Sequence, residues 1–256
     1  MLLDHIVHFI DDELEAVMSD LVKHKLNAVK GGSHEQWGTY NSLLYTRNSY
    51  IEFLAVEDKE VLQRSNHPLI MHLKHDLPNG SGFGTICIRT TNIEGLKKVL
   101  ESKGLHTTAV FNAQRRTTTG DIRKWKMLFI DEEVGDSLPF PFFIEWEEPD
   151  SERYEALIKD GTVQESNLKL TIDACHFQVA HPRSVAAQWG EVLGIKPTGE
   201  EENELVLPNS KLIFQHGEEK ERLKKVVVAG HEEKLQIEVA GGVYEIGKRF
   251  VRGDFL

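Results

Sequence analysis

Three stretches of this chain repeat one order: a short apolar strand, an amphipathic helix, then further strands. The first opens with a strand predicted over residues 3–10 and a helix predicted over 11–25. In that helix Leu14, Val17, Met18, Leu21 and Val22 recur at the spacing of one buried face, and Asp11 or Asp12 is placed to cap it. Strands are predicted at 38–45 and 50–56. The order returns with a strand at 84–89, then a helix over 92–103 capped by Asn92 and carrying Ile93, Leu96, Val99 and Leu100. Strands at 107–112, 122–130 and 142–147 follow. It returns again with a strand at 170–179, a helix opened by Pro182 and stopped at Gly194, and strands at 204–207 and 211–215. The starts lie about 80–90 residues apart, too far and too irregular for a solenoid. The pattern predicts an α+β fold of paired βαβββ modules, whose mixed sheets curl into cups with the helices on the outside. Residues 1–148 are expected to hold two paired modules. Residues 168–256 are expected to form a reduced third module with extra C-terminal strands at 226–229 and 235–239. The polar stretch 150–167 reads as a connector. A second connector, 59–82, carries Pro68, Pro78 and Asn79-Gly80, with a helix expected within 61–77.

Composition narrows the function. Of 256 residues, 40% are hydrophobic and 28% charged, enough apolar material for a sizeable core. Thirty basic residues face 41 acidic ones, a net charge of −11. Such a surface repels phosphate backbones, and the basic runs at 220–225 and Arg115-Arg116 are short, so no nucleic-acid partner is expected. No apolar run approaches the ~18–20 residues that cross a bilayer, so no membrane partner is expected. Cys87 and Cys175 lie far apart, give no disulfide framework and read as small buried core residues. Asp11-Asp12-Glu13 arrives too early for a signal peptide, which points to the cytoplasm.

Several segments together resemble a known superfamily. They are Leu3-Asp4-His5-Ile6-Val7-His8-Phe9-Ile10 before an acidic helix start, Gly31-Gly32-Ser33-His34, Gly38-Thr39-Tyr40-Asn41 and Tyr50-Ile51-Glu52-Phe53-Leu54. Trp125-Lys126-Met127-Leu128 and the run Pro139-Phe140-Pro141-Phe142-Phe143-Ile144-Glu145-Trp146 extend the likeness. The sequence resembles the vicinal oxygen chelate superfamily, and within it the glyoxalase-like domain group. The superfamily includes glyoxalase I, extradiol dioxygenases and fosfomycin- and bleomycin-resistance proteins. The likeness covers residues 1–148 well and 168–246 more weakly. It implies metal ligands on the first and last strands of each module. Carried over, these are His5, Glu52, Thr85 and Glu145, and in the third unit Ala174 or His176 and Gln215. Thr85 departs from the pattern, because a His is common there. The resemblance implies a small-molecule ligand and a divalent metal such as Zn, Ni, Mn, Fe or Mg. A homo-oligomer, as a dimer, is expected.

Strand alternation supports part of this set independently. Ile51 and Phe53 share one face while Tyr50, Glu52 and Leu54 share the other, so Glu52 points into a cup if helices cover the first face. The same reading sets Glu145 opposite Ile144 and Trp146. A carboxylate inside an apolar strand needs a metal, an arginine or hydrogen-bond donors. His5, Glu52 and Glu145 are therefore the expected metal ligands, with Glu145 or Glu52 moving a proton. His34, Asn41, Arg116 and Trp125 are the expected substrate-binding lining. His67, His72 and His75 read as ordinary helix or surface histidines, and Gln215 as leaving the third unit without a metal. Two functions compete: a metal-dependent lyase, isomerase or dioxygenase, and a metal-free small-molecule binder or resistance-type protein without catalysis. A structural or regulatory oligomer with a degenerate site is a third.

Overall fold

The computed structural model describes residues 1–116 and 122–248, with the side chains of Arg115 and Arg116 outside that description. The first half runs β1 (Leu2–Ile10), α1 (Leu14–Lys23), β2 (Val29–His34), β3 (Thr39–Tyr45), β4 (Tyr50–Val56), α2 (Lys59–Arg64) and α3 (Pro68–Asp76). It continues with β5 (Gly82–Arg89), α4 (Ile93–Ser102), β6 (Phe111–Arg116), β7 (Ile122–Leu128) and β8 (Phe142–Trp146). Helix α5 (Asp150–Lys159) leads to β9 (Thr171–Val179), α6 (Pro182–Leu193), β10 (Glu204–Val206), β11 (Lys211–His216), β12 (Arg222–Ala229), β13 (Leu235–Val239) and β14 (Gly242–Gly247).

Local chemistry accounts for most of these boundaries. Helix α1 buries Leu14, Val17 and Leu21, but Val22 is exposed and neither Asp11 nor Asp12 caps it; the capping position is Glu13, whose side chain makes no capping bond. The Asn92 side chain accepts the Gly95 N–H at the start of α4. Pro182 opens α6, and Gly194 ends it at φ 68, a left-handed conformation that favours glycine.

The strands form an eight-stranded sheet in the order β2-β3-β4-β1-β5-β8-β7-β6 and a six-stranded sheet in the order β10-β11-β9-β12-β14-β13. The second order matches the inner part of the first, β3-β4-β1-β5-β8-β7. The pairing senses match as well. β1 runs parallel to β4 as β9 does to β11, and β5 runs parallel to β8 as β12 does to β14. The strands after β11 therefore trace the path of a further module that lacks a helix.

The convex faces of the two sheets share one core. Leu3, Ile6, Ile86 and Ile88 from the first sheet join Ile172, Cys175, Val226 and Val228 from the second, together with the buried faces of α1, α4 and α6. His8 is a polar link inside it: Nδ1 lies 2.6 Å from the Tyr244 hydroxyl and Nε2 2.8 Å from the Ala240 carbonyl.

Two segments differ from the sequence reading. The polar stretch after β8 is not only a connector, since it folds into α5, whose Arg153 is buried. Helices α2 and α3 lie on the concave side of the first sheet, where Leu62, Leu69, Ile70 and Leu73 pack against Val7, Phe9, Leu54 and Ile144. Those apolar side chains fill the sheet's own curvature. No helix among the described residues is long and apolar enough to cross a membrane.

Candidate functional site

The site lies at the end of the concave face that α3 leaves open. Strand β1 supplies two consecutive residues to it. Alternation alone would send Asp4 and His5 to opposite faces, but the β1–β5 register shifts between Leu3 and His5. Leu3 sits in the convex core, while His5 lines the cavity and Asp4 binds groups of the concave side.

Asp4 is buried and fully engaged. Its Oδ1 lies 2.8 Å from His5 Nδ1, and its Oδ2 accepts the Trp146 indole N–H at 3.0 Å. The Arg89 Nε lies 3.3 Å and an Arg153 nitrogen 3.8 Å from the same Oδ2. Burial pushes the Asp4 carboxyl up, but the His5 hydrogen bond and the charges of His5, Arg153 and Arg89 outweigh it and bring the pKa down to about 2. An ionised carboxylate only accepts, so the proton between the two groups is on His5 Nδ1. That leaves Nε2 directed at Glu52, whose Oε2 lies 3.7 Å away.

Glu52 is on β4, on the face with Tyr50 and Leu54, as alternation predicted. Its other oxygen accepts the Asn41 amide N–H at 2.5 Å. Asn41 is fixed in turn by the Gly32 N–H, which donates to Oδ1 at 2.9 Å. The β2–β3 register shifts between Lys30 and Ser33, and a Cβ at Gly31 would lie 1.8 Å from the Asn41 Oδ1. The Gly31-Gly32 pair thus lets the backbone close on the amide. Tyr50 stacks on the His5 ring with centroids 4.5 Å apart. Its phenol is held protonated by burial and by the nearby Asp4 and Glu52.

The walls are mainly apolar: Leu43, Tyr45, Leu54, Met127, Phe142 and Ile144. Trp125 and Trp146 close one side with ring centroids 5.4 Å apart. His34 lines the opposite rim, with Nδ1 3.1 Å from Thr39 Oγ1. Leu69 and Ile70 of α3 reach into the cavity and reduce its free volume to about 60 Å³.

Of the residues expected from sequence, His5, Glu52, His34, Asn41 and Trp125 come together here. The Arg116 side chain lies outside the described residues. Glu145 is a correction. Its Oε2 accepts the Ile93 N–H at 2.7 Å, so it faces α4 on the convex side and is not in the cup. Its neighbours Ile144 and Trp146 line the cavity instead. The short strand β8 alternates apolar residues on both faces, so the sequence did not say which face was inside.

Register also moves the other transferred position. His5 pairs with Tyr50 on β4, and across the central pair of strands with Cys87 on β5; Cys87 pairs with Phe142 on β8. The β5 residue beside His5 is therefore Cys87, not Thr85, and the β8 residues that line the cavity with Glu52 are Phe142 and Ile144, not Glu145. Thr85 pairs with Val7, further along the strand. In the second sheet, His176 Nδ1 lies 3.1 Å from Gln215 Oε1 on a half-exposed face. Asp4, Trp146, Arg89 and Arg153 escape the sequence reading, because only the bulge turns Asp4 toward the Trp146 and Arg89 of neighbouring strands and only α5 brings Arg153 to it.

Residues 3–193 match the family model described as "Glyoxalase-like domain". No curated protein sequence matches the chain. A solved hypothetical protein from Staphylococcus aureus is similar over 95% of this chain and 98% of its own, with 25% identity and a TM-score of 0.84. A methylmalonyl-CoA epimerase from Mycobacterium tuberculosis is similar over 59% of this chain and 91% of its own, with 17% identity and a TM-score of 0.40.

Proposed function

Because the chain belongs to the glyoxalase-like domain family of the vicinal oxygen chelate superfamily, we propose that the cup of its first sheet binds a small molecule and presents that molecule's oxygen atoms to His5 and Glu52. One observation carries this reading: the buried series Asp4–His5–Glu52–Asn41, with a gap of 3.7 Å at its centre between the His5 Nε2 and a Glu52 oxygen at the cavity.

Two groups of side chains are candidates for a divalent metal. Asp4, His5 and Cys87 bring ligand atoms within 4.8 Å of one another. They fit an ion poorly. Asp4 is already hydrogen-bonded to His5 and Trp146, two guanidinium groups flank it, and burial together with Asp4 and Glu52 keeps the Cys87 thiol protonated. His5 Nε2 and the Glu52 carboxylate fit better. Asp4 takes the other imidazole N–H, the outer hydrogen bond that metal-bound histidines have. A divalent ion held there supplies a Lewis acid that polarises a bound oxygen.

The chain's own residues supply the rest. Asp4 holds the His5 tautomer, so that Nε2 can take a proton from a bound molecule or hydrogen-bond to it. Asn41 fixes one Glu52 oxygen and leaves the other toward His5. Trp125 and Trp146 keep water from the pair, which strengthens its electrostatics. The small free volume favours a compact substrate.

A metal-free binder is the second reading, favoured by what stands beside His5 and Glu52 on the other half of the sheet: Cys87, Phe142 and Ile144, none of them a histidine or carboxylate. The two are separated by titrating chelator-treated protein with Mn²⁺, Zn²⁺ and Ni²⁺ by calorimetry, alongside a thermal-shift screen of small dicarbonyl and hydroxy-acid compounds. Metal uptake that Glu52→Gln abolishes supports the first reading. Compounds that stabilise the metal-free wild type but not the His5→Ala or Glu52→Gln variant support the second. If neither metal nor compound distinguishes wild type from the variants, the cup is not the site.

A further inference from the structure

Helix α3 divides the concave face of the first sheet into two compartments. The His5–Glu52 cavity lies on one side. On the other lies a cavity of about 400 Å³, within the size range of small-molecule pockets. Leu69 and Phe142 line both and form the wall between them.

The second compartment contains polar groups that the fold does not use. Thr85 is 6% exposed, and its Oγ1 is buried without a hydrogen-bond partner. The Nδ1 of His72, on α3, is buried without a partner as well. Burial and the nearby Arg222 keep this imidazole neutral, with a pKa near 4, so Nδ1 can serve as an acceptor. Glu132, in the loop between β7 and β8, makes one hydrogen bond among the described residues: its Oε1 accepts the Phe140 N–H at 2.8 Å. Burial pushes its carboxyl up to about 7, against the Phe140 bond and the charge of Arg222. A buried polar group left unpaired is destabilising, so two of them, on Thr85 and His72, both residues that line one roomy cavity, point to an absent partner.

The chemistry of the lining selects the partner. Thr85, His72 and Glu132 can all accept hydrogen bonds. Asp131 and Glu133 at the rim are exposed acids, which repel anions. Phe129, Phe140 and Met71 supply apolar surface and aromatic faces, which attract cations. We propose that this compartment binds a small organic ammonium ion with an apolar or aromatic body, independently of the His5–Glu52 pair. The ammonium donates to Glu132 and the neighbouring acceptors, and the body packs against the phenylalanines.

Phenethylamine is the probe, with phenylacetate as the anionic control of similar shape, both followed by calorimetry and saturation-transfer NMR on the full chain. One equivalent of phenethylamine should bind and phenylacetate should not. Glu132→Gln keeps a carbonyl oxygen for the Phe140 N–H and should weaken binding about tenfold or more, the scale of one charge-assisted hydrogen bond. Thr85→Val, nearly isosteric, should weaken it several-fold, and provides the answer if the Glu132 variant does not fold. Glu52→Gln should leave binding within about twofold. No binding at millimolar probe, equal binding of phenylacetate, or loss through Glu52→Gln rather than through Glu132→Gln or Thr85→Val would each overturn the assignment.

Discussion

Asp4 and His5 are adjacent in sequence yet face the same side of their strand, with Oδ1 and Nδ1 2.8 Å apart. The register shift between Leu3 and His5 makes this possible. Asp4 is also where four elements meet: β1 carries it, β5 brings Arg89, β8 brings Trp146 and α5 brings Arg153. Arg153 lies over the Trp146 ring at 4.3 Å, so the tryptophan that walls the cavity is held on one face by a cation and at its N–H by Asp4. The helix that follows the first sheet thereby helps to shape the site.

Asp4→Asn is expected to cost about 3 kcal/mol at neutral pH, because it takes the buried carboxylate from Arg89 and Arg153 and leaves them only the half-exposed Asp150. The pH dependence has a definite sign. The folded pKa of about 2 lies below the ordinary 3.8, so the native contacts of Asp4 add stability above pH 3.8 that is lost as pH falls through 2. The contribution is roughly 2 kcal/mol. Urea titrations from pH 7 down to 2.5 should therefore show the gap between wild type and Asp4→Asn narrowing below pH 4. A gap that stays constant there would mean that Asp4 is not held ionised by the fold.

His67 is expected to be a liability in stability. It is buried between Trp37, Phe111 and Phe129, with ring centroids 4.3, 5.0 and 5.1 Å away, and neither of its ring nitrogens has a hydrogen-bond partner. Burial, with a smaller contribution from His34, lowers its pKa from 6.5 to about 4. The unfolded imidazole takes up a proton below pH 6.5 while the buried one stays neutral down to about pH 4, so the folded state loses stability as pH falls from 6.5 toward 4. Between pH 7 and pH 5 the loss is about 2 kcal/mol. His67→Phe should raise the melting temperature at pH 7 and flatten this slope. A Phe variant that is less stable at pH 7, or equally acid-sensitive, would show that the ring nitrogens have partners in solution.

The fold was legible in sequence wherever burial has a period. The helix faces of α1, α4 and α6 and the alternation in β4 can be read from single residues, and they place Glu52 correctly. Three features broke the reading. A β-bulge shifts the period by one residue, which hid Asp4. Strand β8 is apolar on both faces because helices cover one and the cavity the other, so Glu145 was assigned to the wrong side. Helix α5 is polar along most of its length, and the one buried face that matters is carried by an arginine. Charged residues buried against opposite charge leave no hydrophobic signature.

The reassignment of Glu145 has a measurable consequence. Its carboxylate accepts the first free N–H of α4, beside the Asn92 side chain that accepts another, and it sits at the positive end of the helix dipole. Glu145→Ala should cost about 0.5–2 kcal/mol in chemical denaturation, the scale of a lost helix cap. Metal uptake and ligand binding in the cup should stay unchanged. Loss of uptake with unchanged stability would return Glu145 to the cup.

Leu69 tests whether α3 sets the size of the site. It lines both cavities and packs in the concave core with Val7, Leu54 and Phe142. Leu69→Ala removes part of the wall between a space of about 60 Å³ and one of about 400 Å³. The substitution should cost about 2–5 kcal/mol, as for other buried leucines, the lower values applying if α3 settles into the gap. In a thermal-shift series of cup ligands graded by size, the variant should accept members that the wild type rejects. If the stability falls but the size limit does not move, α3 already withdraws when ligands enter, and the wall seen here is one position of a mobile element. If the limit moves with the side chain, Leu69 determines how large a molecule reaches His5 and Glu52.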